Sequence, residues 1–291
     1  MITEGYLGLH YGGRSGGRDP ALLDVAQDYA LKIISDSDLY SLGLTFKGGT
    51  ALRKYRVGNA GRFSTDLDFV AGEPGVGELL LETLDDSELF DVRFSISDIQ
   101  EDRRGSLSVD TPLGSPQIKS KVEISSRTQW LSPEWLDPIP MPVHKGYEFT
   151  PTRALVMVLE ETLAEKLAAF RRRGFARDLY DLALFHSHPF DEELVRRITF
   201  LKIYCDVVED GIGSPPFDPR TDILEAKEPS DFSPEDIGLL TSKVDIPDWL
   251  NKLQSRYGFL ERVTDEEIVL AKCEKRNAME IQRIIRGLDN H

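Results

Sequence analysis

Two aspartates one residue apart, Asp66 and Asp68, carry the clearest chemistry in this sequence. They sit in a run, residues 63–70, whose alternating pattern predicts a β-strand. Successive strand side chains face opposite ways, so Asp66 and Asp68 share one face while Leu67 and Phe69 share the other. The apolar pair would fix the strand against a core and leave two carboxylates projecting together. Oxygen donors in that arrangement suit Mg²⁺ or Mn²⁺, which bridge and neutralise phosphate oxygens in phosphoryl and nucleotidyl transfer. A bare Asp-x-Asp is common, and its plainer reading is a solvated strand face.

The neighbouring segment raises the pair above that reading. Residues 42–46 are a short apolar run, a predicted strand, that ends at Lys47-Gly48-Gly49-Thr50 ahead of the helix formers Ala51-Leu52-Arg53-Lys54-Tyr55. A strand, a Gly-Gly bend and a helix start together offer exposed backbone N–H groups to an anion such as a triphosphate. A third carboxylate is expected on an adjacent strand. Glu123, in Lys119-Ser120-Lys121-Val122-Glu123-Ile124, is the candidate, as a further ligand or as a base for an attacking hydroxyl. Its plainer reading is an ordinary exposed strand glutamate.

Further along, Lys166 lies on an otherwise core-forming helix, where a lysine beside a triphosphate would stabilise leaving pyrophosphate. Arg177, Asp178 and Asp181 begin the next helix at i, i+3 and i+4 spacing, which a local salt bridge explains equally well. Arg171, Arg172 and Arg173 close the Lys166 helix, where cations offset the helix dipole. With Arg177 they would also suit a grip on an RNA backbone.

These residues need elements to position them. The apolar spacing predicts helices over 20–37 and 76–84, and strands over 91–99, 106–111 and 117–125 joined as an antiparallel meander. A proline-rich connector covers 131–152. It is followed by a strand over 154–159 and helices over 160–173 and 175–185. The remainder reads as helical, with Pro/Gly-rich loops at 211–219 and 228–234 and one long charged helix over 265–288. Residues 1–18 read as a flexible glycine-rich arm. The fold class is α+β: a mixed/antiparallel sheet domain over 1–150, then a mainly α-helical lobe over 151–291.

Composition bounds the function. Hydrophobic content of 40% and charged content of 29% are ordinary for a globular protein, and 291 residues suffice for about two domains. No run approaches the roughly 20 apolar residues of a membrane span. There is no secretory leader pattern at the N-terminus, and two cysteines, Cys205 and Cys273, make no disulfide framework, so the expected home is a reduced cytoplasm. A net charge of −15 argues against broad non-specific nucleic-acid binding yet leaves room for a local basic groove. His186-Ser187-His188 lacks further ligands at metal spacing and reads as a helix-end pair.

Four motifs in order (Lys47-Gly48-Gly49-Thr50-Ala51-Leu52-Arg53, Ser64-Thr65-Asp66-Leu67-Asp68-Phe69, Ala164-Glu165-Lys166-Leu167 and Ala176-Arg177-Asp178-Leu179-Tyr180-Asp181-Leu182) give the chain a specific likeness. Over about residues 22–186 it resembles the AbiEii toxin family, which includes the mycobacterial MenT toxins. That resemblance implies a polymerase-β-like nucleotidyltransferase domain followed by a helical lobe, a cognate antitoxin protein as partner, and in some members nucleotide addition to the 3′ end of tRNA. It implies that Lys47, Gly48, Gly49, Thr50 and Arg53 serve nucleotide binding and that Asp66 and Asp68 hold the metal. Lys166 would meet the nucleotide phosphates, with Asp181 and nearby Asp178 completing the site.

Three functions are therefore compatible with these residues. One is transfer of a nucleotide from NTP to an RNA end such as the tRNA acceptor, blocking translation. A second keeps the chemistry with a protein hydroxyl as acceptor. The third is a nucleotide- or antitoxin-binding module without turnover.

Overall fold

The computed structural model describes residues 2–288 and divides into two compact units. The first contains Met1–Gln129, Pro133–Met157 and Leu239–Ser242; the second contains Trp130–Ser132, Val158–Gly238 and Lys243–His291. The division at residues 157/158 falls seven residues beyond the sequence-based boundary, and a short later segment returns to the first unit.

The first unit opens with α1 (Glu4–Tyr11) and α2 (Arg18–Asp36), followed by β1 (Leu44–Lys47), α3 (Gly48–Leu52), β2 (Asp66–Ala71) and α4 (Val76–Leu84). The strands β3 (Glu88–Leu89), β4 (Val92–Gln100), β5 (Arg104–Asp110), β6 (Ser120–Ser125), β7 (Glu134–Leu136) and β8 (Ala154–Val156) complete it. All eight strands form one sheet in the order β3-β4-β5-β6-β2-β1-β8-β7. The sheet is mixed, since β2 pairs parallel with β6 and β1 parallel with β8, while the other pairs are antiparallel. The meander read from the sequence is the β4-β5-β6 half.

One face of that sheet is apolar because each strand alternates. Leu67 and Phe69 on β2 and Val122 on β6 are buried, and α2 and α4 cover this side with Leu22, Val25, Leu80 and Leu84. Each such burial stabilises by about 1.5–3 kcal/mol. The alternate positions of β5 and β6, and of β2 except the buried Val70, face away from that core and are polar, as are Arg93, Ser95 and Ser97 on β4.

The glycine-rich start is not an arm. The Thr3 hydroxyl accepts from the Tyr6 amide at the head of α1, and Leu7 and His10 are buried. Gly12 and Gly13 take positive φ (63° and 64°), the left-handed conformation that ends α1 and turns the chain towards α2. Arg14 then donates to the backbone carbonyls of Leu240, Thr241 and Ser242.

The second unit is helical: α5 (Leu159–Arg173), α6 (Ala176–Leu184), α7 (Glu192–Val208), α8 (Ile246–Tyr257), α9 (Asp265–Ala271) and α10 (Ala278–Arg286). Gly174, at φ 58°, closes α5 by donating its amide to the Phe170 carbonyl at 2.7 Å. The single helix expected over 265–288 is broken between α9 and α10. Tertiary hydrogen bonds explain the break: the Ala271 carbonyl accepts from the Phe217 amide at 2.8 Å, and the Glu274 carbonyl accepts from the Tyr204 hydroxyl at 2.9 Å. Among the described residues no helix is long and apolar enough to cross a membrane.

Candidate active site

The bend between β1 and α3 and the middle of β2 form one rigid piece. Gly48 takes φ 78°, a left-handed conformation that L side chains avoid, and a Cβ there would also overlap the Asp68 carboxylate. At Gly49 a Cβ would stand 2.5 Å from the Arg62 guanidinium, which would have to shift to admit it. The buried Thr50 hydroxyl donates to the Asp66 carbonyl at 2.6 Å and ties the helix start to β2. Antiparallel register sets Lys47 opposite Asp68, so the end of β1 lies directly beside the carboxylate strand.

Asp66 and Asp68 are half-buried on the open face, alternating with the fully buried Leu67 and Phe69. Among the described residues the Asp66 carboxylate makes no hydrogen bond or ion pair with another side chain or amide. An unpartnered, half-exposed carboxylate on a rigid strand is a fitting ligand for a hard divalent cation. Among the described residues no group of three or more His, Cys, Asp or Glu side chains forms a complete cage. Two carboxylates on one strand face suit a divalent cation whose remaining ligands would come from a bound nucleotide and water.

Glu123 stands in register with Asp68 across the parallel β2–β6 pair, but its carboxylate is held by Arg104 at 3.0 Å. Arg104 stands opposite it on β5, and this exposed pair leaves the Glu123 carboxylate on the same face as Asp68. The Thr50 side chain is buried on Asp66's own carbonyl, and the Arg53 side chain is fully buried.

Arg53 belongs to a cluster of buried charges that the sequence reading missed. Its guanidinium bonds Asp24 at 3.0 Å and Gly61's carbonyl and lies 3.9 Å over the Phe63 ring. Lys54 reaches Asp24 at 3.4 Å and Asp28 at 2.8 Å, His10 meets Asp24 at 2.7 Å, and Tyr147 donates to Asp28 at 2.6 Å. Burial alone would raise the Asp24 carboxyl; the charges of Arg53 and Lys54, with the His10 hydrogen bond, outweigh it and hold the group well below the ordinary 3.8. Asp28 is likewise lowered against its own burial, chiefly by Lys54. The cluster clamps α2 to the helical turn that leaves the Gly-Gly bend. A signal was present: Asp24 and Asp28 lie one helical turn apart among apolar residues of a buried helix.

In the second unit, Lys166 on α5 is enclosed by two α6 carboxylates, Asp181 at 2.7 Å and Asp178 at 3.5 Å. Arg173 clasps Asp178 with two parallel hydrogen bonds of 2.7 and 2.9 Å. Each of the three arginines has a carboxylate partner. Arg171 pairs with Asp222 at 3.0 Å with its side chain only 8% exposed, Arg172 straddles Asp206 at 3.1 Å, and Arg173 holds Asp178. Arg177 lies 5.0 Å from the Phe175 ring centroid. Two of these carboxylates, Asp206 and Asp222, lie far along the chain, Asp178 is only five residues on, and Arg172 and Arg173 remain exposed at the surface.

Comparison with known proteins follows the same lines. The family model described as "Nucleotidyl transferase AbiEii toxin, Type IV TA system" matches residues 32–268. The solved structure of MenT4, a nucleotidyltransferase toxin from Mycobacterium tuberculosis H37Rv, is 39% identical with a TM-score of 0.92, over 99% of this chain and 100% of that one. The structure of JHP933 from Helicobacter pylori aligns at 17% identity and a TM-score of 0.46, over 91% of this chain and 97% of that one. No curated protein matches the chain.

Proposed function

The chain belongs to the AbiEii family of nucleotidyltransferase toxins of type IV toxin–antitoxin systems, and from that premise we propose that it moves a nucleotide from NTP to the 3′ end of an RNA, the tRNA acceptor in particular. The observation that carries the proposal is the Asp66–Asp68 pair, fixed by Thr50 to the glycine bend, with Asp66 unpartnered among the described residues. Held by these two carboxylates, Mg²⁺ or Mn²⁺ would neutralise charge on the triphosphate and on the attacking and leaving oxygens.

The chain's own groups do the rest. Gly48 and Gly49 let the backbone approach the phosphates without a side chain in the way. Lys47, at the end of β1 and opposite Asp68, adds positive charge on the same side. By family resemblance Lys166 meets the nucleotide phosphates and steadies pyrophosphate as it leaves. Asp181 orients its ammonium, and Asp178, anchored by Arg173, holds it from the other side. A cognate antitoxin would then have to block this chemistry or its substrates.

Incubation with each labelled NTP, divalent cation and total tRNA, followed by separation of RNA from protein, tests the reading. Label on RNA, lost in Asp66→Ala, is the expected result. Label confined to protein selects a hydroxyl side chain as acceptor, a role compatible with the net charge of −15. No label with any NTP removes the enzymatic reading.

A further inference from the structure

The first unit holds a cleft of about 750 Å³ over β4, β5 and β6 that reaches Lys121, the β6 neighbour of Asp66. Register draws one line across it: Asp66 on β2 stands next to Lys121 on β6, Lys121 next to Ser106 on β5, and Ser106 next to Ser97 on β4. A second row sets Ser95 opposite Ser108, both exposed, with Lys119 just ahead of β6. Most cations of this acidic chain are tied to carboxylates, as Arg171, Arg172 and Arg173 are. Lys119 and Lys121 differ: among the described residues neither makes an ion pair or hydrogen bond, and neither do the Ser95 and Ser108 hydroxyls.

Three carboxylates also border the cleft, Asp86, Asp98 and Asp110, and two of them accept serine hydroxyls. Asp98 accepts from Ser106 at 3.1 Å and Asp110 from Ser115 at 3.1 Å, while Arg93 is held by Glu88 at 2.7 Å. The apolar residues Phe94, Leu107 and Val109 beneath are buried, so among the lining residues only Pro116 and Ile118, both partly buried, present apolar surface, and no aromatic anchor is exposed. A protein partner would call for such anchors. Short hydroxyls and uncommitted ammonium groups instead match a sugar–phosphate backbone.

We propose that this cleft is the acceptor channel, taking the 3′-terminal nucleotides of a single-stranded RNA end. Phosphates rest on Lys119 and Lys121, the backbone runs along Ser95 and Ser108, and the terminal hydroxyl arrives at Asp66 and Asp68. The inference rests on the nucleotidyl-transfer reading above and adds the place and chemistry of acceptor binding.

Its test separates the two. Anisotropy of a short fluorescein-labelled single-stranded RNA, with Mg²⁺ and no NTP, is measured for the full chain and for two double variants, Lys119→Ala/Lys121→Ala and Ser95→Glu/Ser108→Glu. All four positions lie on the open side of the sheet, and an unchanged Tm confirms the fold. Expected is an RNA Kd weakened ~10-fold or more in both variants. NTP binding should be unaltered, and the salt slope of the lysine variant should fall by about 1.4, at ~0.7 per single-strand phosphate contact. An RNA Kd within about twofold of wild type, or wild type that binds no RNA, overturns the channel. So does weakened NTP binding without weakened RNA binding, or reduced labelling of a protein acceptor with RNA affinity unchanged. If wild type labels RNA while the variants bind it normally, only the channel fails. If wild type labels protein alone, the acceptor assignment itself falls.

Discussion

Asp24 and Asp66 are carboxylates of the same unit in opposite surroundings. Asp24 is fully buried with Arg53, Lys54 and His10 against it. Asp66 is half-exposed on the open face, and among the described residues its carboxylate has no partner. A charge taken out of water persists only when paired, so the first arrangement holds helices together and has nothing left for a ligand. A charge on a rigid strand that stays partly in water and unpaired retains its capacity to bind a cation. The same contrast sorts the cations: Arg53, beside the Gly-Gly motif in sequence, is structural, whereas Lys121, unremarked in the motif, stands next to Asp66 and is uncommitted.

Substitutions that exchange the two roles would break this comparison. Asp66→Asn should lower nucleotide transfer by about 10³-fold or more while moving Tm by less than ~2 °C. Retained activity, or a collapse in stability, would show that Asp66 is structural after all. Asp24→Asn should behave inversely, costing about 3–5 kcal/mol in urea unfolding by stranding Arg53 and Lys54. An equally stable variant would remove the clamp from the account. Gly48→Ala sits between them. The left-handed backbone adds about 1–2 kcal/mol of strain, and displacement of the Asp68 carboxylate should cut activity up to ~100-fold.

The smallest effect is on acid stability. Asp24 and Asp28 are lowered in the folded chain, so the stability they contribute is complete above the ordinary value of 3.8 and disappears as pH falls below it through the folded values. Chemical unfolding across that range should show the steep acid loss in wild type and a shallower one in Asp24→Asn. Parallel curves would contradict it.

The legible parts of the fold were the local ones. Period-two alternation marks β2 and β4 to β6, and α4 falls at 76–84, the bounds its apolar spacing predicts. The Gly-Gly bend and the Asp pair were visible for the same reason, since strand geometry alone places Asp66 beside Asp68. Pairing across long stretches of chain was not legible. Asp24 lies 29 residues from Arg53, Arg172 lies 34 from Asp206, and Arg171 lies 51 from Asp222, so nothing local announces which cations are neutralised. The helix α1 was hidden by glycine-rich composition, and the break between α9 and α10 by backbone hydrogen bonds to Phe217 and Tyr204.

Binding of Mn²⁺ together with a non-hydrolysable NTP, followed by electron paramagnetic resonance of the free ion, tests the central claim most directly. The account predicts uptake of Mn²⁺ by wild type in the presence of nucleotide and its loss in Asp66→Asn, with Tm preserved. Equal uptake by both proteins would contradict it.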